Sequence, residues 1–123
     1  MEKDYKEAFE KTRSAGIVAA GALDEVAKIA KPGVSTDQID KICYEYINDH
    51  EAYSAPLYYR GFPKSCCTST NHVVCHGIPS GKILTEGDIV NVDVTALKNG
   101  WHGDTSRTLS LIHIWRCRRV GVC

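Results

Sequence analysis

No stretch of this chain approaches the ~20 consecutive apolar residues that a membrane-crossing helix requires. The opening run, MEKDYKEAFEK, also lacks the apolar core of a secretory signal. Neither sign of charge is in excess, with 15 basic and 15 acidic residues among 123. The balance is uneven along the chain. Residues 110–123 hold Arg116, Arg118 and Arg119 and no acid, so 12 basic residues face 15 acidic ones elsewhere. A broad electrostatic surface for nucleic acid or an anionic membrane is thereby excluded. Six cysteines are present but no CxxC unit, which argues against a zinc knuckle or a thioredoxin-like site. Reduced thiols and a cytoplasmic location are the expectation. There is no internal repeat and no low-complexity linker, and the length suits one domain with a modest core.

What is present reads as α+β. From about Tyr5 to Ala30 the chain is rich in Ala, Glu and Lys, with Leu23, Val26, Ala27 and Ala30 at helical spacing. Gly16 and Gly21 lower its propensity but would admit a neighbouring element at close range. Lys31-Pro32-Gly33 is a stop signal, and Ser35 with Gln38 three residues on predicts a capping box. The helix it opens, ending near His50, places Ile39, Ile42, Cys43, Tyr46 and Ile47 on one face. Short β-rich pieces follow near Cys66–Ser69 and His72–Cys75. Gly77-Ile78-Pro79 then breaks the chain just after His76, which predicts a loop presenting that imidazole. Thr85–Asp88 reads as the turn into a hairpin.

The hairpin carries the chemistry. In IVNVDVTALKNGWHGDTS, residues alternate faces along a strand, so Asn91, Asp93 and Thr95 share one face and Val90, Val92, Val94 and Ala96 the other. Asn99-Gly100 is a strong two-residue turn signal. That turn pairs Asp93 with Ser106 and leaves Asp104 diagonal to Asp93 on the same face. A turn at Lys98-Asn99 would set the two carboxylates directly opposite. Facing like charges destabilise a sheet unless something compensates, and a divalent cation is the simplest compensation. His102 shares this face and is a candidate further ligand or hydrogen-bond donor behind the ligands.

Four segments, KPGVST with its helix, YYRGFPKSCC, NHVVCHGIPSG and EGDIVNVDVTALKNGWHGDTS, occur in the order seen in type I methionine aminopeptidases. Over residues 1–108 the chain resembles the N-terminal half of their catalytic domain, in peptidase family M24. The resemblance implies the pita-bread fold, two helices followed by antiparallel strands and a hairpin. It implies two divalent metal ions of the cobalt, manganese, iron, zinc or magnesium class, their identity left open, with Asp93 and Asp104 as two of five ligands. His76 matches the histidine that contacts substrate and helps stabilise the tetrahedral intermediate. Tyr59, Phe62, Cys67 and Trp101 match methionine-pocket positions, although strand parity sets Trp101 opposite the aspartates. Cys66 reads as packing and Cys75 as a small buried hydrophobe beside the site.

The implied reaction is removal of the initiator methionine from nascent proteins whose second residue is small. Its partner is a peptide N-terminus, with no nucleic acid and no membrane, and the intact enzyme is expected to be a monomer. Ribosome association is left open. Two departures bear on this. The second half, with three ligands, lies outside the chain, so the chain alone is expected to be inactive and to leave a large apolar face uncovered. Residues 109–123 match nothing in the pattern, lose strand alternation after Thr108, and read as an artefactual tail of translated adapter or vector sequence. Two alternatives remain: a proline-directed peptidase of the same fold, and a non-catalytic binding module built on it.

Overall fold

Small residues at helical spacing let the first helix lie flat on a sheet. The computed structural model describes residues 2–112, with α1 at Glu2–Ile29 and α2 at Thr36–Asp49. The buried stripe of α1 is Ala15, Val18, Ala19, Ala22, Leu23 and Val26. It begins only at Ala15, midway along the helix, and Ala27, expected on it, is exposed. Lys31-Pro32-Gly33 ends α1 as predicted. The capping box of α2 forms in both directions: Gln38 N donates to Ser35 Oγ at 3.2 Å and Ser35 N to Gln38 Oε1 at 2.8 Å. Such a cap contributes about 1 kcal/mol.

Four antiparallel strands make one sheet: β1 (Tyr53–Ser54), β2 (Cys67–Thr70), β3 (Ile89–Lys98) and β4 (Trp101–Ser110). β3 is central. β4 pairs along one side of it, and β1 and β2 share the other. Val90, Val92, Val94 and Ala96 are fully buried beneath α1 and α2, as the alternation predicts. The hairpin turns at Asn99-Gly100, both at positive φ (51° and 82°), the pattern of a type I′ turn.

β4 approaches α1 so closely that a Cβ on Gly103 would overlap the backbone of Ala15 and Gly16. The missing side chain that allows this is Gly103's and not Gly16's, since a Cβ on Gly16 would meet nothing within 4 Å; Gly21 does admit a neighbour, the Tyr46 ring of α2.

Three sequence expectations are corrected. His72–Cys75 is not a strand. Asn71 adopts a left-handed φ of 54° and spends its side chain on Asp88 and on Ile89 N, which ends β2 in a turn. Strand structure does not stop at Thr108 either. β4 runs to Ser110, and Leu111 enters the core with its amide bonded to Asp88 O at 2.8 Å. The rest of the expected tail, from residue 113, lies outside the described residues. Thirdly, the sheet face away from the helices is not apolar. Beside Ile89 and Leu97 it carries Asn91, Asp93, Thr95, His102, Asp104 and Ser106, because the alternation that buries valines on one side puts mainly polar groups on the other. Among the described residues no helix is long and apolar enough to cross a membrane.

One carboxylate ties the layers together. Asp40 Oδ1 of α2 accepts from Ser65 N at 2.7 Å and Cys66 N at 3.1 Å, fixing the entry to β2. Asp40→Ala would leave two amides without a partner in a partly buried place. A loss of about 2 kcal/mol is expected in urea unfolding, against under about 0.5 for Glu45→Ala on the exposed side of α2.

Candidate functional site

The register places the two aspartates as the Asn99-Gly100 turn requires. Asp93 faces Ser106 and Thr95 faces Asp104, so the carboxylates are diagonal neighbours on the helix-free face. Cys67 of β2 is the partner of Asp93 on the other side. Above them the chain folds back from β2: Thr68 N donates to Gly77 O at 2.8 Å and Gly77 N to Ser69 Oγ at 3.2 Å. This holds the loop in which His76 sits at a left-handed φ of 55°. Such a conformation is uncommon for a residue with a Cβ and is the kind of strain found at functional sites.

These elements enclose a cavity of about 900 Å³ whose lining includes Tyr59, Phe62, Cys67, His76, Asp93 and Asp104. All but one of the site residues expected from the sequence therefore meet there. The exception is Trp101, which faces α1 with its ring 6.0 Å from Lys11 Nζ. Odd-numbered residues of β4 face the helices, as Gly103 and the Arg107–Asp24 ion pair at 3.0 Å also show. Parity thus outweighs the pocket role suggested by resemblance. Cys75 is exposed rather than buried, since it lies in the loop and not in a strand. His102, Thr95, Pro56, Ile78 and Arg60 also line the cavity. Arg60 was missed; nothing in YYRGFP marks its direction, which depends on backbone turns at Tyr58 and Arg60 themselves. Asp40 was missed too, because its partners are far away in sequence.

Electrostatics mark the carboxylate pair as incomplete by itself. Partial burial, then hydrogen bonding with Asp104 and its charge, push the Asp93 carboxyl up to about 6, and His76 offsets part of this. Burial pushes the Cys67 thiol up to about 11, with further contributions from Asp93, Cys75 and Asp104. Cys66 is raised further, by a hydrogen bond with buried Cys43 and by burial, so that thiol stays protonated. Hard oxygen donors that repel each other suit a divalent cation of the manganese, magnesium or iron type. Among the described residues no three or more His, Cys, Asp or Glu side chains are grouped to hold a metal ion. The two aspartates fit part of a metal centre.

The sign of the pH dependence follows. A carboxyl raised from 3.8 to about 6 binds its proton more tightly in the folded protein. Its contribution to stability is present at low pH and is lost as pH rises from about 4 through 6. Metal-free protein should therefore lose some stability across that window, and Asp93→Asn should flatten the change. Thermal melts at pH 4.5 and 7 check this; identical pH profiles for both proteins would refute it.

Residues 10–114 match the model of metallopeptidase family M24. The chain belongs to that family. Methionine aminopeptidase 2 of Mycobacterium tuberculosis is 58% identical over 102 residues, which cover 83% of this chain and 36% of the relative. The crystal structure of methionine aminopeptidase from Rickettsia prowazekii superposes with a TM-score of 0.85 at 50% identity, over 92% of this chain and 46% of that one. A prolidase from Pyrococcus furiosus shares the fold, with a TM-score of 0.72 at 22% identity, over 86% of this chain and 30% of that one. This M24 chain thus spans about 31–50% of the length of the methionine aminopeptidases it matches. The α+β architecture, two helices and then an antiparallel sheet, is that of the pita-bread structures over the part this chain matches.

Proposed function

We propose that this chain carries the aspartate-bearing part of a metal-dependent aminopeptidase that removes the initiator methionine from nascent proteins with a small second residue. The convergence of Asp93, Asp104 and His76 on one cavity walled by Tyr59, Phe62 and Cys67 carries this reading. The 58% identity to a methionine aminopeptidase favours it over a proline-directed reaction. Asp93 and Asp104 would hold two divalent ions together with ligands from the part of the relatives that this chain does not span. Bound there, the ions would supply Lewis acidity and lower the pKa of an attacking water.

The chain's own residues account for the rest. His76 would donate a hydrogen bond where negative charge grows on the scissile carbonyl oxygen. Tyr59, Phe62 and Cys67 would take the methionine side chain, each sulfur–aromatic contact contributing about 0.3–1.5 kcal/mol. Selection would then rest on shape and dispersion more than on hydrogen bonds. A cytoplasmic place of work fits a nascent-chain substrate.

The test is a chimera of residues 1–108 with the corresponding C-terminal part of the Mycobacterium tuberculosis relative, assayed with manganese or cobalt. Methionine release from Met-Ala-Ser is expected from the chimera and none from this chain alone. A folded, metal-loaded chimera that leaves Met-Ala-Ser intact, or prefers an X-Pro peptide, would refute the proposal.

A further inference from the structure

The cavity is electrically polarised. The sheet supplies Asp93 and Asp104, and the wall formed by residues 55–63 supplies one permanent cation, Arg60. Its placement follows from the local backbone: Tyr58 and Arg60 both take left-handed φ, 65° and 47°, around a single 3-10 turn at Tyr59–Gly61. The guanidinium carbon lies 5.4 Å from the centre of the Tyr59 ring, and both side chains line the cavity. Cation–π attraction at this range favours that placement of the guanidinium while leaving its N–H donors free. Among the described residues Arg60 makes no ion pair, although the chain forms seven others. A restrained guanidinium with unused donors at a peptide cavity is suited to a carboxylate, which it can bind through two parallel hydrogen bonds.

We propose that Arg60 is a specificity-determining residue that favours peptides with an acidic side chain downstream of the N-terminal residue. The inference rests on the peptide-binding reading above. A free amino terminus would lie toward the carboxylates and the acidic side chain toward Arg60, so ligand and cavity are polarised in matching senses. Arg60 is exposed and lies in a single 3-10 turn with no buried residue, so replacing it removes the charge without disturbing the core. Because the pair is partly solvated, its effect is modest and screened by salt.

The experiment measures binding of Met-Ala-Glu-amide, Met-Ala-Gln-amide and Met-Ala-Lys-amide to the full chain by calorimetry, with manganese present throughout. Affinity should fall in the order Glu, Gln, Lys, with about threefold between Glu and Gln at low salt. Arg60→Gln should erase that difference, and Arg60→Lys should keep part of it. Equal affinities, or a Glu preference that persists in Arg60→Gln, would overturn the inference while leaving the peptide reading intact. N-acetylated forms separate the two ideas. Undiminished binding after acetylation, with the Arg60-dependent Glu preference retained, would sink the aminopeptidase reading alone, and no binding of any peptide would overturn the Arg60 inference while the chimera still decides the aminopeptidase reading.

Discussion

Gly103→Ala is expected to destabilise the protein by about 3 kcal/mol. β4 rests directly on α1 at this position, and the new Cβ would overlap backbone atoms of Ala15 and Gly16. Backbone cannot rotate aside as the end of a side chain can, so strand and helix must separate. Overpacking of a close-packed contact costs about 1–3 kcal/mol, and more where no side chain can yield. Gly81→Ala is the control, since nothing lies within 4 Å of its added methyl. In a chain of this size the difference corresponds to roughly 10–15 °C in Tm, read by circular dichroism. The effect reaches the site as well, because Asp104 follows Gly103 and moves with β4. Coincident melts of the two variants would show that the helix–strand contact is not tight.

Removal of either aspartate should separate metal affinity from stability. Asp93→Asn and Asp104→Asn are each expected to lower manganese affinity by more than about tenfold, since even groups that merely orient a ligand commonly matter by ten- to a hundredfold. Metal-free stability at pH 7 should stay level or rise in both variants, because each substitution relieves repulsion between carboxylates on one sheet face. A structural pair would behave oppositely, losing stability with no change in metal binding. Manganese titration followed by electron paramagnetic resonance, with thermal melts alongside, distinguishes the two. Unchanged manganese affinity in either variant would remove that residue from the proposed centre.

Local rules carried much of the architecture. The capping box of α2, the stop after α1, the Asn99-Gly100 turn and the valine face of β3 all depend on residues within a few positions of one another. Each appears where short-range hydrogen bonding and side-chain alternation require it. The same alternation puts Asp93 and Asp104 on one face and Trp101 on the other, as the register shows. Local rules failed where a segment's state depends on distant partners. His72–Cys75 has strand-like composition, yet Asn71 diverts the chain through bonds to Asp88 and Ile89. The end of β4 likewise owes its extra length to pairing with Ile89 and to Leu111 entering the core, neither visible in LSLIHIW.

Family membership, the α+β class and the pairing of two carboxylates were contained in the order of residues, because alternation and turn chemistry act over a few residues at a time. The meeting of His76, Cys67, Tyr59 and Phe62 with those carboxylates, the hold of Asp40 on the entry to β2, and the turning of Arg60 into the cavity were settled by tertiary structure. These depend on backbone conformation and on partners tens of residues apart, and no local pattern encodes which distant groups a fold will bring together.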